Sequence, residues 1–153
     1  GVDELLNTIK SYLPEGPRYY PEDSLTDQTE KDIAGEYIRE SILKYTSDEI
    51  PHGSAVEIES FDEVYDHDQD GNICDRKLVK IQAVIYCERE SHKKILIGRN
   101  GEMAKRIGIA SRKKIEEMLQ CKVFVEIFVK VRRDWRNDKN SLKDLGFDPD
   151  RNR

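Results

Sequence analysis

The segment 94–108, KILIGRNGEMAKRIG, constrains the fold of this chain more than any other stretch. Gly98 and Gly101 stand three positions apart. A short stretch of apolar and basic residues precedes them, and a longer stretch whose apolar residues have helical spacing follows them. Glycine permits backbone angles that other residues avoid and lets a ligand approach the main chain closely. A helix that begins directly after such a turn presents free N–H groups to an anion. The segment therefore predicts two helices joined by a tight turn, which either simply connects them or also holds phosphate.

Charge is distributed unevenly along the chain. The formal net charge is −5, but residues 1–75 hold 5 basic and 20 acidic residues, whereas residues 76–153 hold 21 basic and 11 acidic residues. The window 89–114, which contains the glycine turn, has 9 basic and 2 acidic residues. Because salt screens charges beyond about 10 Å, binding of a polyanion depends on the local field. The overall acidity therefore does not exclude a nucleic-acid ligand.

Hydrophobic periodicity predicts an α+β domain. Helical spacing marks VDELLNTIKSYL, the stretch from Ile33 to Tyr45, SHKKILI and GEMAKRIGIASRKKIEEMLQ, whereas alternation marks SAVEIESFDEVY, KLVKIQAVIYC and KVFVEIFVKV as strands. We expect a capping box formed by Asp27 and Glu30 before the second helix, and a cap at Ser91 before the third. In the helix GEMAKRIGIASRKKIEEMLQ the stripe from Met103 to Leu119 is expected in the core. DWRNDKNSLKDLGF is expected to end as a further capped helix, and its Trp135 either stacks on a base or, as we favour, anchors the core.

The acidic stretch DHDQDGNICDRK allows two interpretations. Asp66, Asp68, Asp70 and Gly71 match the first positions of an EF-hand calcium loop, but Lys77 stands where a bidentate glutamate is required. The flanks are strands, and Asp70-Gly71 suits a hairpin turn. We therefore favour a solvated hairpin tip over a metal site.

Longer stretches resemble a known family. The order helix, strand, strand, helix, GxxG turn, helix, strand is similar to a KH domain of type II, with a three-stranded sheet packed against helices and the GxxG loop between two of them. The stretch YYPEDSLTDQTEKDIAGEYIRESILKYTSDEIPH resembles the linker and first helix of that domain in the Era family of bacterial GTPases. ILIGRNGEMAKRIGIASRKKIEEML, VFVEIFVKVRRDW and LKDLGF resemble the rest of the domain, with Ala104 smaller than is common in the family loop.

The resemblance implies a function and its residues. The family's KH domain binds the 3′ end of small-subunit (16S) ribosomal RNA and assists assembly of that subunit. The phosphate-binding loop falls on Gly98, Arg99, Asn100 and Gly101. Neighbouring cations supply the attractive field and aliphatic residues line a groove for about four bases; the full predicted set is Lys93, Lys94, Ile97, Gly98, Arg99, Asn100, Gly101, Lys105, Arg106 and Ile107. Lys113 and Lys114 either contact phosphate or are solvated.

The sequence of this chain contains none of the motifs on which the GTPase activity of the family depends. No G-x-x-x-x-G-K-[ST] loop is present, so GTP and Mg²⁺ are expected only in a domain absent from this chain, which itself has no catalytic residues and no cofactor. We expect residues 1–25 to be the last helix and linker of that GTPase domain, residues 26–148 the KH domain and residues 149–153 a frayed tail.

The remaining features concern location and partners. Three cysteines without metal-ligand spacing, no signal-peptide pattern and no run of about 20 apolar residues predict a cytoplasmic protein with reduced thiols. A monomer is the default. Two alternatives stay open: a module whose acidic half docks a basic protein, and peripheral association with an anionic inner membrane through residues 89–114.

Overall fold

The computed structural model describes residues 1–14, 16, 28–138 and 142 of the 153-residue chain. Helices and strands follow one another in the predicted order, and the predicted α+β class is confirmed. Their bounds are α1 Val2–Tyr12, α2 Glu30–Tyr45, β1 Ser54–His67, β2 Ile73–Cys87, α3 Glu90–Ile97, a single 3₁₀ turn at Arg99–Gly101, α4 Glu102–Leu119 and β3 Lys122–Val131.

The described strands form one mixed sheet in the order β1-β2-β3. β1 and β2 are an antiparallel hairpin, whereas β3 runs parallel to β2, with Val79 opposite Val123 and Ile85 opposite Val129. A parallel pair requires a crossover connection, which α3, the glycine turn and α4 supply. This topology leaves β3 at one edge of the sheet, next to α4.

One face of the sheet packs against the helices and forms the core. Ile38 and Ile42 of α2 meet Ile81 and Ile85 of β2 there. The predicted stripe on α4 is confirmed, since Ile107, Ile115 and Leu119 are buried and Met103 and Met118 pack against the same cluster. The stripe also includes the buried Ser111, whose hydroxyl donates to the carbonyl of Ile107 at 2.9 Å, so that this polar atom is satisfied inside the core.

The hairpin tip between β1 and β2 confirms the turn interpretation. The Asp68 carboxylate accepts hydrogen bonds from the amides of Asp70 and Asn72 at 2.9 and 2.8 Å, and Gly71 has a φ of +84°. The side-chain amide of Asn72 also donates to this carboxylate at 2.9 Å, and that bond, followed by the backbone ones, holds the pKa of Asp68 below its ordinary value. Asp66 pairs with the Lys77 ammonium at 2.6 Å. Asp66 and Asp68 of the calcium-like pattern therefore stabilise the hairpin.

Two predicted helix caps are wrong in position. α2 is capped by Thr29, whose hydroxyl accepts from the Asp32 amide at 3.1 Å while the Asp32 carboxylate accepts from the Thr29 amide at 3.2 Å. The chain contains two overlapping capping-box patterns, and this second one begins the helix; Asp27 lies outside the described residues. α3 begins one residue before Ser91, at Glu90, without a side-chain cap.

The two ends of the chain carry separate features. Trp135, following β3, is buried with Ala55 and packs beside Tyr86 and Leu142, which confirms its role as a core anchor. Tyr86 alternates with the core-facing residues of β2, so this small cluster covers the face of the sheet opposite the helices. The capped helix predicted at the end of DWRNDKNSLKDLGF lies outside the described residues apart from Leu142, and the tail 149–153 lies outside them entirely. α1 is amphipathic as predicted and has no buried residue.

Candidate nucleic-acid interface

The turn between α3 and α4 requires glycine at its first position. Gly98 has φ +73° and ψ 177°, and a Cβ atom built there lies 2.8 Å from both the Cβ and the backbone N of Met103. Gly101 has φ +80° with open space around it, and Asn100 is also left-handed at φ +52°. The backbone therefore turns sharply enough to bring α4 directly beside the end of α3.

The start of α4 is free of side-chain caps. Its N-cap is Gly101, which offers no side-chain oxygen to the first amides of the helix. Uncapped amides and the positive end of the helix dipole together attract anions. Arg99 and Asn100 are exposed at the tip of the same turn. Within the turn the Gly98 amide donates to the Lys94 carbonyl at 2.9 Å and the Gly101 amide to the Gly98 carbonyl at 3.3 Å. The donors left at its tip are therefore the amides of Arg99 and Asn100 together with the Arg99 guanidinium.

Beside this loop, α4 and β3 enclose a groove. Its volume is about 260 Å³, and small or aliphatic residues form most of its floor. A Cβ atom at Gly108 lies only 3.5 Å from the Cδ1 atom of Ile127. The lining residues are Ala104, Lys105, Gly108, Ile109, Arg112, Phe124, Val125 and Ile127. An apolar floor with basic side chains along it suits unstacked bases whose phosphates stay at the surface.

The structure separates the predicted site residues into three groups. The loop residues 98–101 lie together next to the groove, and Lys105 lines it. Lys94 is exposed, whereas Lys93 and Ile97 are half-buried on α3. Ile107 is fully buried in the core and lines no groove, which corrects its expected position, since its side chain points from α4 towards the sheet and α2.

Two basic side chains of α4 contact α2: Arg106, which was predicted for the RNA site, and Lys114, which was left open between phosphate contact and solvation. The Arg106 guanidinium lies 4.3 Å from the ring centroid of Tyr45, which is a cation–π distance. Lys114 contacts both carboxylate oxygens of Glu40 at 2.6 Å. These side chains therefore connect the two helices, and the basic residues directed to the groove are Lys105 and Arg112.

Sequence reasoning did not assign several groove residues. Ile109, Arg112, Phe124 and Ile127 were not predicted for the site, because the strand beside α4 could not be placed. One available signal was Gly108, which interrupts a helix-forming stretch at a cost of about 1 kcal/mol relative to alanine and so indicates close packing. The other was the phase of β3, which leaves Phe124 on the face away from the core.

A bidentate ion pair braces the domain away from the groove. Arg136 donates to both carboxylate oxygens of Glu88 at 2.6 and 2.7 Å, joining the residue after β2 to the turn after β3. The hydrogen bond from Arg136 holds the pKa of Glu88 below its ordinary value. Because only Arg89 separates Glu88 from α3, this pair supports the segment that carries the loop.

Comparison with known proteins places the chain in a family. The sequence profile of the KH domain matches residues 49–136, which include the hairpin, the glycine turn, α4 and β3. The chain belongs to the KH domain family. The order of elements from α2 to β3 is that of the type II KH domain, and the expected resemblance to Era is confirmed.

The relatives of this KH domain extend well beyond it. The chain is 49% identical over 152 residues to the GTPase Era of Ruminiclostridium cellulolyticum, covering 99% of this chain and 48% of that protein. It is 48% identical over 147 residues to the GTPase Era of Geobacter metallireducens, covering 96% and 46% respectively. The chain therefore spans about half the length of the curated relatives it matches.

Two solved structures have the same fold. One is a crystal structure of Era in complex with MgGDPNP and nucleotides 1506–1542 of 16S ribosomal RNA, with a TM-score of 0.83 and 34% identity over 95% of this chain and 46% of that one. The other is an Aquifex aeolicus Era variant bound to GDP and aluminium fluoride, with a TM-score of 0.81, 34% identity and the same coverage.

In the described ranges, no helix combines the length and hydropathy that a bilayer span requires.

Proposed function

We propose that this chain is the single-stranded RNA-binding module of an Era-like GTPase, and that its ligand is the 3′ end of 16S ribosomal RNA during assembly of the small subunit. The observation that carries the proposal is the apolar groove between α4 and β3, which opens beside an uncapped glycine loop. The similar Era structure that contains nucleotides of 16S ribosomal RNA supports this choice of RNA. We expect the protein to act as a monomer in the cytoplasm.

The loop and the groove divide the work of binding. The amides of Arg99 and Asn100 and the Arg99 guanidinium hold the phosphate backbone, which fixes the position of the strand without reading its sequence. Lys105 and Arg112 add charge along the groove. The bases lie against Ala104, Gly108 and Ile127, where the absence of bulky side chains gives them room.

The surrounding residues keep the loop in place. Gly98 allows close contact between α3 and α4, and the buried Ile107 fixes α4 on the sheet. Arg106 acts through Tyr45 of α2, so we assign it to positioning α4. Lys93, Lys94 and Ile97 precede the loop on α3, where the lysines strengthen the attractive field.

No catalytic step is assigned to this chain. GTP and Mg²⁺ would be bound in the half of the Era relatives that the chain does not span, and residues 1–25 would be the last helix and linker of that domain. The exposed apolar side of α1, with Leu5, Leu6 and Ile9, fits such a position. RNA binding in the proposed groove needs no catalytic group.

Fluorescence anisotropy with a labelled oligomer that copies the 3′ end of 16S ribosomal RNA tests the proposal. The double variant Arg99→Asp/Asn100→Asp places acid at the loop, and aspartate tolerates the left-handed backbone of residue 100. Asn7→Asp/Lys10→Asp on exposed α1 is the matched control, since it changes the net charge by the same amount on a helix that contributes nothing to the loop or the groove.

The expected result is sequence-dependent binding that the loop variant loses and the control keeps. Equal weak binding of a scrambled oligomer, or unchanged affinity of the loop variant, would reject the groove as a sequence-reading site. Binding to ribosomes that does not depend on RNA would favour docking to a basic protein. Sedimentation with anionic vesicles but not with neutral ones would favour membrane association.

A further inference from the structure

The tip of the glycine turn contains an Asn-Gly pair, formed by Asn100 and Gly101. In such a pair the backbone nitrogen of the glycine can attack the side-chain Cγ atom of the asparagine, because no Cβ atom shields that nitrogen. The new N–Cγ bond closes a five-membered succinimide ring, and the side-chain nitrogen leaves as ammonia with the proton of the glycine amide. Water then opens the ring at either carbonyl and gives aspartate or isoaspartate. A neutral amide thereby becomes a carboxylate, with solvent water as the only co-reactant.

The surroundings of Asn100 leave its side chain available for this reaction. Asn100 is exposed, and its side-chain amide forms no hydrogen bond in the part of the chain that the structure describes. Its backbone is left-handed, with φ 52° and ψ 26°, which residues other than glycine seldom adopt. Nothing lies within 4 Å of a Cβ atom built at Gly101, so a ring at this position meets no neighbour.

The closed turn opposes the attack through one hydrogen bond. The Gly101 amide donates to the Gly98 carbonyl at 3.3 Å, which is long for an N–H···O bond. At ψ 26° the Cβ atom of Asn100 also stands nearly trans to the Gly101 nitrogen about the Cα–C bond. The turn must therefore open before the ring can close, and short exposed turns open at little cost in free energy. A phosphate held by the amides of Arg99 and Asn100 would keep the turn closed.

Two other asparagines of the described chain lack these features. The side-chain amide of Asn72 donates to Asp68 at 2.9 Å, and the β-branched Ile73 follows it. The side-chain amide of Asn137 donates to the Asp134 carboxylate, and an aspartate follows it. Their amides are held and their next residues carry side chains, so both are internal references for the loop asparagine.

We propose that Asn100 is a modification site, where spontaneous deamidation of the RNA-free protein places a carboxylate in the phosphate-binding loop and bound RNA prevents the reaction. Both products repel phosphate, and isoaspartate also lengthens the main chain by one carbon directly before Gly101. The effect on RNA binding rests on the proposed function, whereas the reaction at Asn100 does not.

Mass spectrometry of the incubated protein tests the reaction. Digestion with endoproteinase Lys-C gives peptide 95–105, whose mass gain is compared with that of the peptides that carry Asn72 and Asn137. We expect peptide 95–105 to convert fastest, at a rate that rises with pH because the attacking nitrogen must lose its proton. With the oligomer of the 16S ribosomal RNA 3′ end at about ten times its Kd, about one tenth of the protein stays free, so the rate should fall about tenfold.

Anion exchange then separates the deamidated protein, which carries one more negative charge. In fluorescence anisotropy it should bind the oligomer about tenfold or more weakly than fresh protein. Asn7→Asp is the matched control, because it adds the same charge on α1 and should bind as wild type does. Asn100→Gly tolerates the left-handed turn without a side-chain amide, so its peptide should gain no mass and its affinity should not change during incubation.

Each part of the inference has a result that overturns it. If peptide 95–105 converts no faster than the two reference peptides, Asn100 is no modification site, while the proposed function stands. Equal conversion rates with and without bound RNA would refute protection by RNA. Equal affinities of the deamidated and fresh protein would refute the effect on binding. If fresh protein binds no oligomer, the proposed function and the coupling to RNA both fail, and the mass gain still decides whether Asn100 is modified.

Discussion

Gly98→Ala tests whether the close contact between α3 and α4 is what shapes the loop. The backbone angles at Gly98, φ +73° and ψ 177°, belong to a region that is essentially reserved for glycine. Adopting them costs a residue with a Cβ atom about 1–3 kcal/mol. In addition, the new Cβ lies 2.8 Å from the Cβ and N atoms of Met103, which are parts of the helix and cannot rotate away. Overpacking of that kind adds about 1–3 kcal/mol.

Gly101→Ala is the matched control, because it introduces the same side chain three residues away. Gly101 has φ +80° and ψ 8°, and nothing lies within 4 Å of its added Cβ. Only the left-handed backbone then costs about 1–2 kcal/mol. In both variants the unfolded chain loses conformational freedom, which returns about 0.4–1 kcal/mol. We therefore expect a loss of about 3 kcal/mol in the free energy of unfolding for Gly98→Ala and about 1 kcal/mol for Gly101→Ala.

Urea denaturation followed by circular dichroism measures both variants under one condition. The m-value should be unchanged, since the surface exposed on unfolding is the same. If Gly101→Ala proves as destabilising as Gly98→Ala, the contact with Met103 does not constrain the turn and the argument from its geometry is refuted.

Three more outcomes are expected. Gly108→Leu should fill the groove floor and weaken RNA binding about tenfold or more while the domain stays folded, which fluorescence anisotropy measures. Gly108→Ala should raise the free energy of unfolding by about 0.5–1 kcal/mol, which urea denaturation measures. Lys105→Ala should reduce the slope of log K against log salt by about 0.7 for a single strand, whereas Lys10→Ala should leave it unchanged. The folded pKa of Glu88 lies below the ordinary value of 4.5, so its pair with Arg136 stabilises the domain above that pH and the benefit is lost as the pH falls through the folded pKa. Thermal melts should therefore show Glu88→Gln less stable than wild type at pH 7, with the difference shrinking towards pH 3.

The parts of the fold that depend on local pattern were predictable from the sequence. Strand alternation in β3, the glycine turn and the hairpin at Asp70-Gly71 each follow from rules that act over a few residues. The caps were less certain, because two capping boxes overlap before α2 and only packing decides which one begins the helix. Thr29 is that cap in the structure, whereas Asp27 was expected.

The groove was not predictable in the same way, because it depends on contacts between distant segments. The side of α4 that lines the groove is defined by β3, whose place follows from parallel pairing with β2. When the pairing of β3 with β2 is not known, the sequence pattern is compatible with Ile107 in either the core or the groove. The structure places Ile107 in the core. Arg106 and Lys105 are neighbours in sequence but point to different partners, since successive helical residues are separated by about 100°.

The measurement that most directly tests RNA recognition by this groove is an NMR titration of the labelled protein with the oligomer copying the 3′ end of 16S ribosomal RNA. We expect the amide shifts to concentrate at residues 98–105 and 124–127, with the hairpin tip at 66–73 and α1 unchanged. Shifts confined to the acidic hairpin or to α1, with the glycine loop unaffected at saturation, would contradict RNA binding between α4 and β3.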